Sequence, residues 1–475
     1  MSNLTDLLPA GAGGKQVSFV ASGTIGNGVT VGLNSDGTVT AVSAETQSLG
    51  SPTIFSSSVN GADPVIAFDV SNNKMVIVYR DDSNLDYGTA VVGTVSGTSI
   101  SFGSPSVFES GFVNDLSVCY DENAEKIVIA YRNSSLGKSV VATVSGTSIS
   151  YGSVVTFSAT NARYMTVCYD TSNQKVVISY RNGSTNYGES VVGTVSGTSI
   201  SYGTNVVFNS AQTAYPSSAY DIANSSVVIS FDSGSNGSSI VGTVSGTSIS
   251  FGTRTAFVGS RPSQYIGTAY DANAQKIVVT YSDVNNDETG MAIVGTVSGS
   301  SITFGSAVTY SGGQAFGNIV YDTGAKKVVI SYRDDNPFYG KLVVGTVSGT
   351  SITFGSIVTF ESAQIEENPY AAYDSIQKKV VIAYEDVGNS AAGTCVVFRN
   401  AQNNSADFIG ITAEAISDTA SGSVTIKGGI STNVTGLTAN QNYYVQTNGT
   451  LSTTVSSVLA GKALSSTSIN LDYTT

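Results

Sequence analysis

The feature that most constrains this chain is an internal repeat of about fifty residues. A pair of residues, Tyr or Phe followed by Asp, recurs at intervals of 52, 49, 51, 50, 51 and 52 residues. The aspartates of this pair are Asp69, Asp121, Asp170, Asp221, Asp271, Asp322 and Asp374. A second string, Val-Ser-Gly-Thr-Ser-Ile-Ser, begins at Val95, Val144, Val195 and Val244, with close variants at Val297 and Val347. Self-similarity at a fixed period indicates that each repeat folds into one unit that packs on its neighbours.

Each repeat is predicted to contain four antiparallel strands. In the first repeat, strand A is expected at Val65–Asp69 and strand B at Lys74–Arg80, both rich in β-branched residues. Strand C is expected at about Thr89–Val95, and strand D at Ser99–Phe108 with a bulge or bend at Gly103. Four strands in about fifty residues match the size of a β-propeller blade.

The strand count predicts how such a ring would close. The A–B unit occurs seven times but the C–D hairpin only six, because the last repeat loses the pattern after strand C at Gly393–Phe398. The segment Leu49–Phe55 matches the strand D segment Phe102–Phe108. The sequence therefore predicts an all-β fold with a seven-bladed β-propeller over about residues 46–400. An N-terminal strand would complete the last blade and remove its exposed edge.

The two ends of the chain are expected to share one small β-domain. Residues 1–45 carry two short strand patterns, Gln16–Ser22 and Val29–Leu33, which are too few to fold alone. Residues 401–475 carry more, among them Phe408–Ala415 and Leu451–Thr454. Because the ends of a closed ring adjoin, we expect the segment 1–45 to pair with the module 401–475.

Composition excludes several classes of function. The 475 residues include 21 basic and 34 acidic residues and no histidine, which rules out histidine-dependent catalysis and histidine metal ligation. The net charge of −13 argues against binding to nucleic acid. No apolar run approaches the length of a membrane span. The N-terminus lacks the basic and apolar regions of a secretory signal, so we expect the protein to be made in the cytoplasm without one.

The three cysteines are interpreted as small core residues. Cys119 and Cys168 both sit in a Val-Cys-Tyr-Asp tetrapeptide, and the other repeats place Ala or Val at the same point. Cys395 lies in a strand-like Thr-Cys-Val-Val-Phe run. A reactive or bridging pair is the alternative, but exchange with Ala and Val favours a packing role.

The repeats differ mainly along one predicted edge of the blades. The A–B and C–D turns are alike from repeat to repeat and lie at one edge, since successive strands alternate in direction. The D–A and B–C loops lie at the other edge and vary in length and chemistry. Examples are Glu109–Asn114 and Val258–Gln264 for D–A, and Arg80–Tyr87 and Arg333–Tyr339 for B–C. This diversity predicts a ligand-binding edge, although surface loops also vary without a function.

Two groups of residues on that edge are candidate ligand-binding residues. One position near the start of strand A holds Asp63, Asp115, Tyr164, Tyr215, Tyr265, Phe316 and Asn368. Strand B ends in a Tyr-Arg pair at Arg80, Arg132, Arg181 and Arg333. Aromatic rings beside carboxylates and amides suit sugars, which offer apolar faces and hydroxyl groups. For the arginines the alternative is structural, with ion pairs to Asp81, Asp82 or Asp334.

Neither a cofactor, a metal site nor an enzyme active site is predicted. The loops Asp82–Asp86 and Asp283–Asp287 alternate oxygen ligands as Ca²⁺ loops do, but they lack the required Gly and the closing Glu. Sialidases are propellers that can act without histidine. Their Ser-x-Asp-x-Gly-x-Thr-Trp box is absent, and the chain contains no Trp. We therefore expect solvated acidic loops and no catalytic residues.

Three stretches of the chain carry a family resemblance. They are Met1–Val42, the Val-Gly-Thr-Val-Ser-Gly-Thr-Ser-Ile-Ser-Phe/Tyr-Gly repeats, and the tail from Phe408 to Thr454. Together they cover nearly the whole chain and resemble virion proteins of marine and cyanobacterial tailed phages, of the tail-fibre or appendage type. The resemblance implies a protein made in the host cytoplasm and carried on the virion, and it brings no catalytic residues.

The sequence and this resemblance predict a non-enzymatic virion surface protein. Its propeller would bind a host-surface glycan or protein through the D–A and B–C loops. The terminal module would anchor it to other virion proteins or join copies into a homo-oligomer. One alternative is a purely structural component, a capsid decoration or tail protein, and another is a carbohydrate-active enzyme of the sialidase-like propeller type. Neither nucleic acid nor membrane insertion is expected.

Overall fold

The chain divides into two compact bodies. The computed structural model describes residues 15–34, 37–59, 64–259, 263–284, 286–334, 336–366 and 368–472. One body is Ser48–Arg399, which we call the repeat body; the other, the terminal body, comprises the described residues of 1–47 and 400–475. The described residues form antiparallel sheets and three short 3-10 turns, Asp82–Asn84, Val387–Asn389 and Ser405–Asp407, with no α-helix. None of their helical turns has the length and apolarity to cross a membrane.

Strands A, B and C recur seven times in the described part of the repeat body, and we number these repeats 1 to 7. Strand A is Val65–Asp69, Ala162–Asp170, Ala214–Asp221, Ser263–Asp271 and Tyr370–Asp374 in repeats 1, 3, 4, 5 and 7. Strand B is Lys74–Asp81, Lys126–Asn133, Lys175–Asn182, Ser226–Asp232, Lys276–Asp283, Lys327–Asp334 and Lys379–Asp386. Strand C is Tyr87–Ser96, Leu136–Ser145, Gly188–Ser196, Gly237–Ser245, Thr289–Ser298, Tyr339–Ser348 and Ala392–Arg399. Strand B is the most apolar because its residues are buried on both faces of the sheet.

Strand D is broken into two segments on either side of Gly103, where the sequence predicted a bulge or bend within one strand over Ser99–Phe108. The first segments are Ser99–Phe102, Ser148–Tyr151, Ser199–Tyr202, Ser248–Phe251, Ser301–Phe304 and Ser351–Phe354. The second segments are Ser106–Asp121, Val155–Ser158, Val206–Asn209, Thr255–Val258, Val308–Asp322 and Val358–Gln364. Both segments pair with strand C of their own repeat, as Ile100 opposite Val95 and Val107 opposite Thr89 illustrate.

Two of the second segments run directly into strand A of the next repeat. Ser106–Asp121 provides strand A of repeat 2, and Val308–Asp322 provides strand A of repeat 6. The predicted D–A loop Glu109–Asn114 is therefore wrong. Glu109 and Phe112 continue the pairing with strand C of repeat 1 through two register shifts, and Asn114 already pairs with strand B of repeat 2. The Glu109 side chain is also held in place, because its carboxylate accepts a hydrogen bond from the Tyr131 hydroxyl at 2.9 Å.

Strand C of repeat 7 pairs with the first strands of the repeat body. These are Ser48–Leu49 and Thr53–Ser56. The register places Leu49 opposite Phe398 and Ile54 opposite Thr394. Strand A of repeat 7 also neighbours strand A of repeat 1, and residues of both repeats share one hydrophobic cluster.

The repeated Tyr-Asp pair is explained by the A–B turn. In repeat 6 the Asp322 carboxylate accepts the backbone N–H of Ala325 at 2.9 Å, which closes the turn. The tyrosine of repeat 7, Tyr373, reaches back to the same turn and accepts the N–H of Gly324 at 2.9 Å. Burial raises the pKa of the Tyr373 phenol. The motif therefore joins neighbouring repeats and has a structural role.

Neighbouring repeats approach each other closely at a glycine between the two segments of strand D. A Cβ atom built on Gly203 would lie 1.8 Å from the carbonyl oxygen of Thr247 in the next repeat. Five further glycines show the same approach, with Cβ to oxygen distances of at most 2.0 Å: Gly50, Gly103, Gly152, Gly252 and Gly305. Only a residue without a side chain fits between the repeats there.

The terminal body is built from both ends of the chain. Gln16–Val20 pairs with Ser421–Ile426, and Thr30–Leu33 pairs with Phe408–Thr412. The remaining strands of this body are Val39–Ala41, Ala44–Glu45, Gln402–Asn403, Ile430–Ser431, Asn442–Val445, Leu451–Ser452, Leu459–Ala463 and Ile469–Leu471. One of its hydrophobic clusters joins Val42 to residues beyond position 400, so that neither end supplies that core alone.

All three cysteines are free thiols packed in the repeat body. Cys168 and Cys395 are buried and Cys119 is half-buried. Burial raises the pKa of the Cys168 thiol to about 12 and that of Cys119 well above its ordinary value. Such thiols are poor nucleophiles at neutral pH, in agreement with a packing role.

Candidate functional site

The beginnings of the A strands surround a cavity of about 370 Å³ in the repeat body. Its aromatic lining is Tyr164, Tyr215, Tyr265 and Tyr370, and its polar lining is Asn114, Asp115, Asn318, Glu366 and Asn368. Val65, Leu116, Met165, Pro216, Ile266 and Gly317 complete the wall. Every repeat contributes at least one residue. The volume lies at the lower end of the range of about 300–1,000 Å³ that is usual for small-ligand pockets.

A bulge in strand A turns the candidate position toward this cavity. In repeat 2, Asn114 lies opposite Arg132 and Ser117 opposite Ala130, so strand A holds one extra residue. The same shift occurs in repeats 3, 4 and 5. The φ angles at this position are 51° for Asp115, 50° for Tyr164, 49° for Tyr215, 54° for Tyr265 and 53° for Asn368. A left-handed backbone at non-glycine residues is costly, and here it recurs at the position next to the bulge.

Successive aromatic rings contact one another along one side of the cavity, in what we call the aromatic arc. The ring centroids are 4.9 Å apart for Tyr164 and Tyr215, and 5.5 Å apart for Tyr215 and Tyr265. Phe316 continues the arc at 4.5 Å from Tyr265. The three tyrosines are each half-buried. Tilted rings in contact form a stable apolar surface, while the phenol groups keep hydrogen-bonding capacity.

Asp115 is held by partners on two sides. Its Oδ1 accepts the backbone N–H of Tyr164 at 2.7 Å, and its Oδ2 lies 2.7 Å from Nε of Arg132. The Arg132 guanidinium also donates to the carbonyl of Ser134 at 3.1 Å. This carboxylate therefore couples repeat 2 to repeat 3 at the cavity wall, and its charge is balanced by Arg132.

The wall is reinforced by hydroxyl groups two or three residues after the bulge position. The Ser117 hydroxyl accepts the N–H of Val167 at 3.1 Å. The hydroxyls of Thr166 and Ser218 lie 2.9 Å apart, and Thr166 also accepts the N–H of Ser218 at 3.1 Å. These contacts connect three successive A strands, so the aromatic side chains project from a fixed support.

None of the four candidate arginines is among the described lining residues of the cavity, and their observed partners differ from the expected Asp81, Asp82 and Asp334. The observed pairs are Arg80 Nε with Asp86 at 3.3 Å, Arg132 with Asp115 at 2.7 Å, Arg181 Nε with Asn186 at 3.0 Å and Arg333 Nη1 with Glu366 at 3.7 Å. The expected partners are engaged elsewhere. Asp81 accepts the Ser83 hydroxyl, Asp82 accepts the Ser58 hydroxyl, and Asp334 pairs with Lys341.

Aromatic rings cover several of these guanidinium groups. Arg333 lies 5.0 Å from the ring centroids of both Phe316 and Phe338. Arg181 lies 5.9 Å from the ring centroid of Tyr164. Stacking of this kind reduces the access of an incoming anion to the arginine.

Two of the candidates in the strand A position depart from the expected arrangement. Phe316 is 5% exposed and does not line the cavity. Repeat 6 lacks the bulge, and Phe316 lies in ordinary register opposite Arg333. The reason is Gly317, where a Cβ atom would lie 2.1 Å from the carbonyl oxygen of Ser331. Asp63 lies outside the described residues.

Sequence comparison of the repeats missed several lining residues. Asn318 lies two residues after the compared position of its repeat. Glu366 lies two residues before that position in repeat 7, and Asn114 lies one residue before it in repeat 2. In repeat 2 the bulge breaks the alternation of side chains, so period-two reasoning could not place Asn114. Glu366 precedes the regular part of strand A in repeat 7. The signal that could have revealed them was the cluster of amide and carboxylate residues around the aligned position in repeats 2, 6 and 7.

No family of known proteins matches this sequence, and no curated protein matches it either. Solved structures do match the fold. The β-propeller domain of Cps50 (Swd1) from Myceliophteria thermophila is 8% identical, with 74% of this chain and 99% of that chain covered and a TM-score of 0.50. The chain therefore contains a β-propeller fold.

Two other matches are weaker. The Dos1 propeller is 13% identical, with coverage of 82% of this chain and 95% of that chain and a TM-score of 0.43. The NanB sialidase from Streptococcus pneumoniae is 10% identical, with coverage of 73% and 69% and a TM-score of 0.43.

Proposed function

We propose that the repeat body is a seven-bladed propeller whose cavity binds a host-surface glycan. The pairing of Ser48–Leu49 and Thr53–Ser56 with strand C of repeat 7 supports closure by an N-terminal strand. The observation that carries the glycan proposal is the aromatic arc. It combines half-buried tyrosine rings with the amide groups of the cavity wall, and sugars need both apolar stacking and directional hydrogen bonds.

The proposed setting is the surface of a phage virion, where the protein serves as a fibre or appendage component and is not an enzyme. This part rests on the resemblance of the ends and the repeats to tailed-phage virion proteins. A terminal body that draws strands from both ends of the chain is compatible with a separate anchoring or oligomerising module. Fractionation of purified particles, with detection of the protein in the virion, tests this setting. Its absence from the particles would contradict it.

Removal of an aromatic arc ring should abolish most of the glycan binding. We expect Tyr215→Ala to weaken binding at least about tenfold, since a tyrosine at the centre of a site often contributes about 2 kcal/mol. Tyr164→Ala and Tyr265→Ala should act in the same direction. Binding is measured on a glycan array and on host cells, and the melting temperature of each variant is recorded to confirm folding.

The matched control is Tyr187→Ala. Tyr187 is 37% exposed, and it does not line the cavity. We expect it to bind as the unchanged protein does. Unaltered binding by all three arc variants would contradict the glycan proposal. Release of reducing sugar from a bound glycan would instead favour the enzymatic alternative.

A further inference from the structure

We infer that the cavity selects uncharged sugars and rejects acidic ones such as sialic acid, sulfated sugars and uronic acids. This inference rests on the proposed glycan binding and names its ligand class. The first observation is that the described residues of the cavity wall carry no positive charge. The described lining residues include two carboxylates, Asp115 and Glu366, and neither Lys nor Arg.

The second observation concerns the nearby arginines, which are the groups that would bind an acidic sugar. Arg132 is occupied by Asp115 and by the carbonyl of Ser134. Arg333 pairs with Glu366 and is stacked between two phenylalanine rings. The exposed fraction of the side chain is 10% for Arg333 and 15% for Arg132. An incoming carboxylate would have to displace an existing partner, with no gain in the number of ion pairs.

The same pairing argues against a cationic ligand. Asp115 and Glu366 are each balanced by an arginine, so the wall offers no unbalanced negative charge to an ammonium group. What it does offer is uncharged: the phenol groups of the arc and the amides of Asn114, Asn318 and Asn368. These groups donate and accept hydrogen bonds with hydroxyls without requiring a charge on the ligand.

The test compares neutral glycans with charged glycans that share the same sugar core. Lactose and 3′-sialyllactose, and chitotriose and its deacetylated form, are titrated against the full-length protein by ligand-observed NMR. We expect each neutral member to bind at least about tenfold more tightly than its charged counterpart, the equivalent of one charge-assisted hydrogen bond. Equal or tighter binding of the charged members overturns this inference and leaves glycan binding standing. If no glycan of any charge binds, the proposed function itself fails.

Two variants test the role of the ion pairs. Asp115→Asn releases Arg132 at the cavity wall, and Glu366→Gln releases Arg333 with little effect on packing, since Glu366 is 39% exposed. We expect either change to raise the ratio of 3′-sialyllactose affinity to lactose affinity by about tenfold. Asp86→Asn is the control, because it breaks the Arg80 pair away from the lining residues. An unaltered ratio of lactose to 3′-sialyllactose affinity in both variants overturns the inference.

Discussion

Phe55→Ala should lower the free energy of unfolding by about 3–5 kcal/mol, the usual cost of truncating a buried phenylalanine. Phe55 is 7% exposed, and its ring centroid lies 5.2 Å from that of Tyr79 and 6.0 Å from that of Phe102. A Cβ atom on Gly393 would lie 2.5 Å from the same ring. A residue from the first strands thus fills the space between repeats 7 and 1.

The same arrangement at an internal junction provides the reference. Phe108 lies between repeats 1 and 2, with ring centroids 5.1 Å from Tyr131 and 5.9 Å from Tyr151. Phe108→Ala should therefore cost a similar amount in denaturant unfolding. Ile54→Ala is the control, because Ile54 is 52% exposed and surface changes usually shift stability by less than about 0.5 kcal/mol. If Phe108→Ala is costly and Phe55→Ala is not, the first strands do not close the ring.

Gly50→Ala should destabilise the repeat body by about 1–3 kcal/mol, because an added methyl group cannot be accommodated without a shift of backbone. Its Cβ atom would lie 1.8 Å from the carbonyl oxygen of Thr98 in repeat 1. Gly203→Ala, which meets Thr247 at the same distance, should cost as much. The measurement is the denaturant midpoint of the purified variants.

Gly355 supplies the matched comparison for this prediction. It occupies the same place between the two segments of strand D in repeat 6, but repeat 7 has no C–D hairpin of its own after strand C. The nearest atom to a Cβ on Gly355 is the carbonyl oxygen of Val344 at 3.8 Å, an ordinary contact. We expect Gly355→Ala to be neutral or slightly stabilising. Equal costs at Gly50 and Gly355 would contradict the proposed junction between repeats 7 and 1.

Much of the fold could be predicted because its determinants are local and repeated. Strand B of repeat 1 was expected at Lys74–Arg80 and occupies Lys74–Asp81. The carboxylate of the Asp in each Tyr-Asp or Phe-Asp pair accepts a backbone N–H of the A–B turn, so the spacing of the aspartates located strands A and B. The match of Leu49–Phe55 to an internal strand D likewise pointed to the pairing partner of repeat 7.

The site could be predicted only in part, because its geometry depends on contacts between distant residues. Comparison of the repeats located Asp115, Tyr164, Tyr215, Tyr265 and Asn368, all of which line the cavity. It also selected Phe316, which does not line the cavity. The identity of this residue gives no sign that strand A of repeat 6 lacks the bulge. The arginine partners were wrong because loop conformations bring Asp86 and Glu366 within reach, while nearer aspartates in the sequence bind other groups.

The central claim is that the first strands and repeat 7 form one sheet, since only then do all seven repeats enclose the cavity. Thr53 lies directly opposite the native Cys395, so Thr53→Cys would place two thiols across adjacent strands. Burial raises the pKa of the Cys395 thiol, and the variant should therefore be refolded in a glutathione redox buffer rather than oxidised when folded. Ile54→Cys, on the opposite face of the same strand, is the control.

Mass spectrometry of unreduced digests then gives the answer. Closure of the ring by the first strands predicts a disulfide between positions 53 and 395 in the first variant and none between 54 and 395 in the second. A thiol at position 53 that stays reduced, or pairs with Cys119, Cys168 or another copy of the chain, would contradict closure of the ring by the first strands.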